Sequence, residues 1–273
     1  MGTAVALADG VAEPLPSLTS LGLDLLEVDP RARAWILARP LLAALGFVWS
    51  WAAGLEWLAP AFVFLLFVGI VSSTHDVVHG SLGLGRIATH LWLFMLGALV
   101  LESGHAYRLT HLRHHAVFPG PDDPEGAPAK MSLLGAALHG LIFLPKLWWW
   151  ALRRAPVAER PWLLVEAAWA LGFLGIAAWT GARLMVAYAA MAIIGSWTYP
   201  LLTAHLPHRN YGDSPLTHTH TLRGRIIPRL FLELTYHLEH HLYPRVPTHR
   251  LKALSERLDP YFRRAGVQPW RVP

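Results

Sequence analysis

Nine of the sixteen histidines fall in four clusters whose spacing is that of metal ligands. The clusters are His75-Asp-Val-Val-His79, His111-Leu-Arg-His114-His115, Leu206-Pro-His208-Arg209 and His237-Leu-Glu-His240-His241. Imidazole is the commonest protein metal ligand and suits iron, zinc, copper and nickel. Residues at i, i+3 and i+4 of a helix share one face, so each multi-histidine cluster is expected to aim at one point. Eight or nine imidazoles exceed what a single tetrahedral zinc takes. Two metal ions are the simplest account.

The surroundings sharpen this reading. His75-Asp-Val-Val-His79 alone is weak, because it is also similar to the zinc-protease HExxH with Asp76 in place of Glu. Asp76 is placed to orient an imidazole through its second ring nitrogen. HxxHH recurs from His111 to His237, 126 residues later. The acids of Pro121-Asp122-Asp123-Pro124-Glu125 can either hydrogen-bond ligand imidazoles or form a solvated turn. His208 is expected to complete the set, with His205 one turn earlier competing for that role. His90, His105, His139, His218, His220 and His249 lack cluster spacing and are expected at the surface or the membrane interface. Pro244 and Pro247 end the last histidine helix.

The elements that must carry these residues are apolar. Hydrophobic residues make up 54% of the chain and charged ones only 15%, against about 25% in soluble domains. Four stretches reach membrane-spanning length: about 34–53, 58–73, 162–180 and 184–203. They pair into two hairpins with tips at Gly54-Leu-Glu-Trp57 and Gly181-Ala-Arg183. All 23 Lys and Arg residues except Arg183 lie outside the tips, and positive charge stays cytoplasmic. Both termini and all histidine boxes are therefore expected on the cytoplasmic side. This topology also accounts for the net charge of +5, so no nucleic-acid partner is needed. Segments 87–101 and 132–152 read as interfacial or re-entrant helices, the second broken by Pro145 and Lys146 and ending in a Trp- and Arg-rich run. A full crossing by 132–152 would put the third and fourth clusters on the wrong side.

Residues 1–30 contain Asp9, Glu13, Asp24, Glu27 and Asp29 with no basic start typical of a signal peptide. They are expected to form a loosely ordered cytoplasmic arm ahead of a single domain at 31–273. Cysteine is absent, which excludes disulfides, cysteine-held iron–sulfur centres, thiolate-bound haem and a cysteine nucleophile within this chain.

The order HxxxH, HxxHH, a lone His and HxxHH across two hairpins resembles the membrane fatty acid desaturase/hydroxylase superfamily over roughly residues 70–250. His75-Asp-Val-Val-His79-Gly80 resembles its first box. Arg108-Leu-Thr-His111-Leu-Arg-His114-His115 with Asp122-Asp123-Pro124 resembles the second, and Tyr236 through Pro247 the third. The resemblance implies an all-α integral membrane fold: four transmembrane helices as two hairpins, interfacial helices and a cytoplasmic histidine-rich di-iron cap. It implies two non-haem irons, O2 as co-substrate and attack on unactivated C–H bonds. The implied catalytic set is His75, His79, His111, His114, His115, His237, His240 and His241, with His208 added as a metal ligand. The electron donor must then be a separate protein such as ferredoxin. Leu206-Pro-His-Arg209 resembles bacterial carotenoid ketolases and hydroxylases, whereas Tyr236 to Leu251 resembles fatty-acyl desaturases. The substrate is accordingly expected to be a carotenoid ring, with an acyl lipid as the alternative. Trp197 and Tyr199 are candidates to line its tunnel. Two rivals from other classes are a zinc intramembrane hydrolase on the first box and a metal transporter. The latter calls for ionisable residues at mid-membrane, and the span centres nearly lack them.

Overall fold

A computed structural model of the protein describes residues 4–6 and 12–273, and helices dominate them. The described helices are α1 (Leu18–Leu21), α2 (Pro30–Ala52), α3 (Ala59–Val78), α4 (Arg86–Leu99), α5 (Gly104–Val117), α6 (Leu133–Arg154), α7 (Arg160–Thr180) and α8 (Arg183–Tyr199). A π-helical turn, Pro200–His205, leads into α9 (Leu206–His208), followed by α10 (Ile227–Leu230), α11 (His237–Leu242) and α12 (Leu251–Arg264). Strands among the described residues are short pairs of two or three residues.

Four helical stretches are long and apolar enough to cross a membrane: Leu23–Ala52, Glu56–Val78, Arg160–Thr180 and Arg183–His208. They coincide with the four expected spans, the first ending one residue earlier than expected. Their outward faces carry Leu45, Trp49, Leu65, Leu171, Trp179 and Ile193, all largely exposed. An apolar surface of this extent needs a lipid or protein cover. α6 does not join the four. It is nevertheless one continuous helix through Pro145, so that proline does not break it as expected. Asp29 caps α2 by accepting from the Arg31 amide at 3.1 Å, and Pro30 fills the first helical position, where its missing N–H is harmless.

α4 and α5 are bent at 106° to each other, so together they form an elbow rather than a straight rod. Ser103 caps α5 by accepting from Ala106 N at 2.8 Å. The elbow is tight: a Cβ on Gly104 would lie 2.2 Å from the Leu93 carbonyl oxygen. Backbone cannot swing aside as a side-chain tip does, so Gly104→Ala is expected to cost about 1–3 kcal/mol, read as a lowered Tm in detergent.

The two largest of five hydrophobic cores among the described residues organise the molecule. One joins α2, α3 and α4 through Ile36, Phe47, Leu66, Ile70, Leu93 and Leu96. The other packs α12 against α11 and the N-terminal segment through Leu25, Leu238, Leu254, Leu258 and Tyr261. The second half of the arm is therefore packed: Leu25 is fully buried, and Asp24 pairs with Arg257 at 2.6 Å. Of the expected loose arm, residues 1–3 and 7–11 lie outside the described residues.

Candidate metal centre

The four clusters converge from α3, α5, α9 and α11 into two adjacent nests. His75, His79, His111, His115 and His240 form one; His114, His208 and His241 form the other. His237 joins the second nest, with its Nε2 3.0 Å from that of His208 and 3.2 Å from that of His241. The two nests touch: the His115 and His241 rings lie 4.3 Å apart. Thus all nine expected residues meet, but each HxxHH box does not aim at one point. His111 and His115 serve the first nest and His114 the second, while His237 and His241 serve the second and His240 the first. The helical rise explains the split. With 3.6 residues per turn, position i+4 lies about 40° from i on one side and i+3 about 60° on the other, so their side chains diverge by about 100°.

The spacing of donor atoms tests whether metal ions fit. In the first nest, Nε2 of His240 lies 2.8 Å from those of both His75 and His115, and His115 lies 3.2 Å from His111. In the second, His114 and His208 are 3.3 Å apart. Donors about 2.1 Å from one metal ion stand roughly 3.0–3.4 Å apart for right-angle or tetrahedral geometry. A neutral imidazole has one N–H, so His240 Nε2 cannot bond both neighbours as donor. A shared cation satisfies all of them. His79 Nε2 is likewise buried with no hydrogen-bond partner, which costs free energy unless a cation takes its lone pair.

The opposite ring nitrogens hold the imidazoles in place. His114 Nδ1 lies 2.8 Å from Asp123 Oδ2, His111 Nδ1 3.2 Å from Glu125 Oε2, and His208 Nδ1 3.1 Å from the His218 carbonyl oxygen. Such bonds fix the tautomer that presents Nε2 to a metal. Of the two open readings of the acidic turn, the hydrogen-bonding one holds for Asp123 and Glu125. Asp122 is exposed near Arg113. Burial holds the His79 imidazole down to about 2, and it drives His111, His115, His237, His240 and His241 well below the usual histidine range, with neighbouring imidazoles adding to the effect. Metal ligation needs the neutral ring, and the fold supplies it.

Other expected placements change. His205 is not in the nests; its Nδ1 lies 2.8 Å from the Pro128 carbonyl oxygen. Asp76 does not orient an imidazole, since it sits 3.9 Å from His75 Nδ1 and instead accepts from the Thr248 amide and hydroxyl, both at 2.9 Å. His105 is fully buried rather than at a surface. Its Nδ1 lies 2.8 Å from Glu166 on α7, and Ser103 donates to the same carboxylate, which clamps α7 onto the start of α5.

An apolar cavity of about 80 Å³ lies beside the first nest, lined by Phe67, Val71, Thr74, Tyr107, Leu147 and Tyr199 among others. Tyr107 stacks on His111, ring centroids 4.8 Å apart, and Thr74 precedes His75 in the chain. Tyr199 thus lines the cavity as expected, whereas Trp197 is exposed and donates to the Ala137 carbonyl. Tyr107 and Thr74 escaped the sequence reading. The only sequence signal was their position beside the histidine boxes.

Membrane-length apolar helices of the chain carry two adjacent imidazole-only nests that could hold metal ions. Sequence comparison gives its family: the model of the fatty acid desaturase family matches residues 51–273, and the chain belongs to that family. It is also similar to a beta-carotene ketolase of Paracoccus sp. (strain PC1), 29% identical over 80% of this chain and 82% of the relative. A beta-carotene ketolase of Paracoccus sp. (strain N81106 / MBIC 01143) is 28% identical over 82% of this chain and 85% of that protein. Membership of this family, with the four membrane-length helices, indicates a membrane-associated oxidoreductase.

Proposed function

We propose that the chain is an O2-dependent di-iron oxidoreductase that oxidises an unactivated C–H bond of a carotenoid ring, as a ketolase or hydroxylase. The convergence of the nine imidazoles into two nests at ligand spacing carries this reading, and similarity to the two ketolases supports the substrate class. His75, His79, His111, His115 and His240 would hold one iron, and His114, His208, His237 and His241 the other. When bound, iron supplies oxygen activation and hydrogen abstraction, chemistry that side chains alone lack. The protein's part is positional. Asp123, Glu125 and the His218 carbonyl fix the rings, and burial keeps them neutral. The apolar cavity excludes water and places the substrate against Thr74 and Tyr107.

The hairpin topology, with histidine boxes and termini cytoplasmic, fits this role, since a soluble donor such as ferredoxin must reach the centre. The basic residues kept off both tips support that orientation. A zinc hydrolase on the first box is disfavoured on two counts. It leaves the second nest unused, and Asp76, which would have to serve as its base, is bound to Thr248. A fatty-acyl desaturase is the second reading, favoured by the family match itself.

Expression in a host that makes β-carotene, with a ferredoxin system, separates the two. Mass spectrometry of pigments and acyl chains is expected to show new oxygenated carotenoids. New acyl double bonds with unchanged pigments would establish the desaturase instead. Neither product, with two irons on the purified protein, would overturn the substrate assignment and leave the centre standing.

A further inference from the structure

Two residues flanking His208, namely His205 and Arg209, take no part in the nests, yet both line a second cavity. It is polar and measures about 440 Å³, with Lys130, Leu133, Asn210 and Tyr211 also in its wall. It shares no lining residue with the apolar cavity beside the first nest. It opens between the π-helical turn and the short helical turn Ala127–Lys130, which the contact of His205 Nδ1 with the Pro128 carbonyl oxygen ties together. No Asp or Glu lines it. Among the described residues neither Lys130 nor Arg209 forms an ion pair. Two cations at one cavity without a counter-ion repel each other, and a bound anion reverses the sign of that interaction.

Arg209 is held in place from two sides. Its guanidinium carbon lies 5.1 Å from the centre of the Trp270 ring, and its carbonyl accepts from His220 Nε2 at 2.6 Å. Trp270 in turn stacks on His220, ring centroids 4.4 Å apart. A guanidinium over an indole face is attracted to it. The Arg209 Nε is nonetheless buried with no hydrogen-bond partner, a donor whose desolvation is uncompensated. A guanidinium offers a planar fork that matches phosphate oxygens, and the Lys130 ammonium adds a compact charge. The surroundings fix what carries the phosphate. Leu133 in the cavity wall is exposed, and Leu134, Leu138 and Leu141 continue beside it along α6, each more than half exposed. Their spacing of four and three puts the last three on one helix face. An exposed apolar strip needs a cover, and one that starts at a cationic cavity fits acyl chains joined to an anionic headgroup.

We propose that this cavity binds the phosphate headgroup of an anionic phospholipid whose acyl chains lie along the leucine face of α6. Basic pockets beside membrane helices take such headgroups, and each basic residue adds about 5-fold in affinity. A zwitterionic headgroup is disfavoured, because its ammonium would face Lys130 and Arg209. The lipid is not the molecule oxidised, since its site is separate from the apolar cavity, and the inference stands whichever substrate the nests serve. Bound there, the phosphate bridges Lys130 to Arg209. It thereby braces the turn that carries His208 against the segment that follows Glu125.

The test is lipid binding to the purified full chain in detergent, counted by native mass spectrometry with Tm measured alongside. The probes are phosphatidylglycerol and phosphatidylcholine with identical oleoyl chains, and inorganic phosphate and glycerol 3-phosphate as soluble counterparts. Phosphatidylglycerol is expected to bind about 25-fold tighter than phosphatidylcholine, about 5-fold from each cation, and to raise Tm. Lys130→Met and Arg209→Met should each lower that preference about 5-fold, and the double variant should remove it. Lys130 is exposed, so its variant decides the matter even if loss of the Arg209–Trp270 stack unfolds the other. Arg183→Gln, in the turn between α7 and α8, should leave the preference intact. Equal binding of the two lipids overturns the proposal, as does a preference unchanged in Lys130→Met. Equal stabilisation by a soluble phosphate at the concentration where phosphatidylglycerol saturates, lost in Lys130→Met, overturns the lipid assignment in favour of a soluble phosphate compound.

Discussion

Alanine at His240 is expected to remove iron from the first nest and to abolish product, a loss of at least about 10³-fold, while the protein still inserts and purifies. His240 is the hub of that nest, with Nε2 2.8 Å from both His75 and His115. Removing it takes away the only ligand that the third box gives to the first nest, while His241 still meets His114 of α5 in the second. Losing a residue that merely orients a ligand costs about 10–100-fold in metal affinity or activity, and a ligand itself costs more. The graded comparison is therefore Asp123→Asn, which weakens the bond to His114 Nδ1 and should fall within that smaller range. His139→Ala, outside both nests, should leave iron content and product unchanged. Metal analysis and product yield on the same preparations decide the matter. Full turnover in His240→Ala would overturn the shared-centre reading, and loss of iron from one nest only would show that the nests load separately.

How much of this was legible follows from the range over which each signal acts. Ligand identity was local: imidazole spacing of three and four residues is written in the chain, and the same nine residues meet in space. Which nest each ligand joins was not, because it depends on how α5 and α11 are rotated against each other. The same divergence of about 100° that splits His114 from His115 is invisible when a box is read as one face. Apolar length announced the spans. It could not reveal that Pro145 sits inside an unbroken helix, since a proline is tolerated wherever neighbouring structure satisfies the freed carbonyl. His105 looked like an isolated surface residue because its partner, Glu166, lies 61 positions away. Asp76 misled for the converse reason. It neighbours a ligand in sequence, but its hydrogen-bonding partner comes from the far end of the chain.

That last contact carries the second large effect. Asp76 is fully buried and accepts from both the amide and the hydroxyl of Thr248, 172 residues away. The Thr248 hydroxyl also meets Ser72 Oγ at 3.0 Å, and Ser72 accepts from Arg39 at 2.6 Å. One carboxylate thus ties α3, which carries the first box, to the segment just after the third box. The chain of bonds then runs on to the buried guanidinium of α2. Asp76→Ala leaves both Thr248 donors without an acceptor. Each buried donor left unpaired costs about 1–3 kcal/mol, so the loss is about 2–6 kcal/mol, a large part of a typical 5–15 kcal/mol stability. Asp76→Asn keeps one acceptor and should cost about 1–3 kcal/mol. Thr248→Val keeps the amide bond and deletes only the hydroxyl, so it should cost about 1 kcal/mol. The expected order of Tm loss in detergent is therefore Asp76→Ala, then Asp76→Asn, then Thr248→Val. Because the tie positions the third box rather than binding metal, iron content should fall in that same order and recover when the variants are stabilised at low temperature. Iron lost from a variant of unchanged Tm would instead make Asp76 a participant in the metal centre itself.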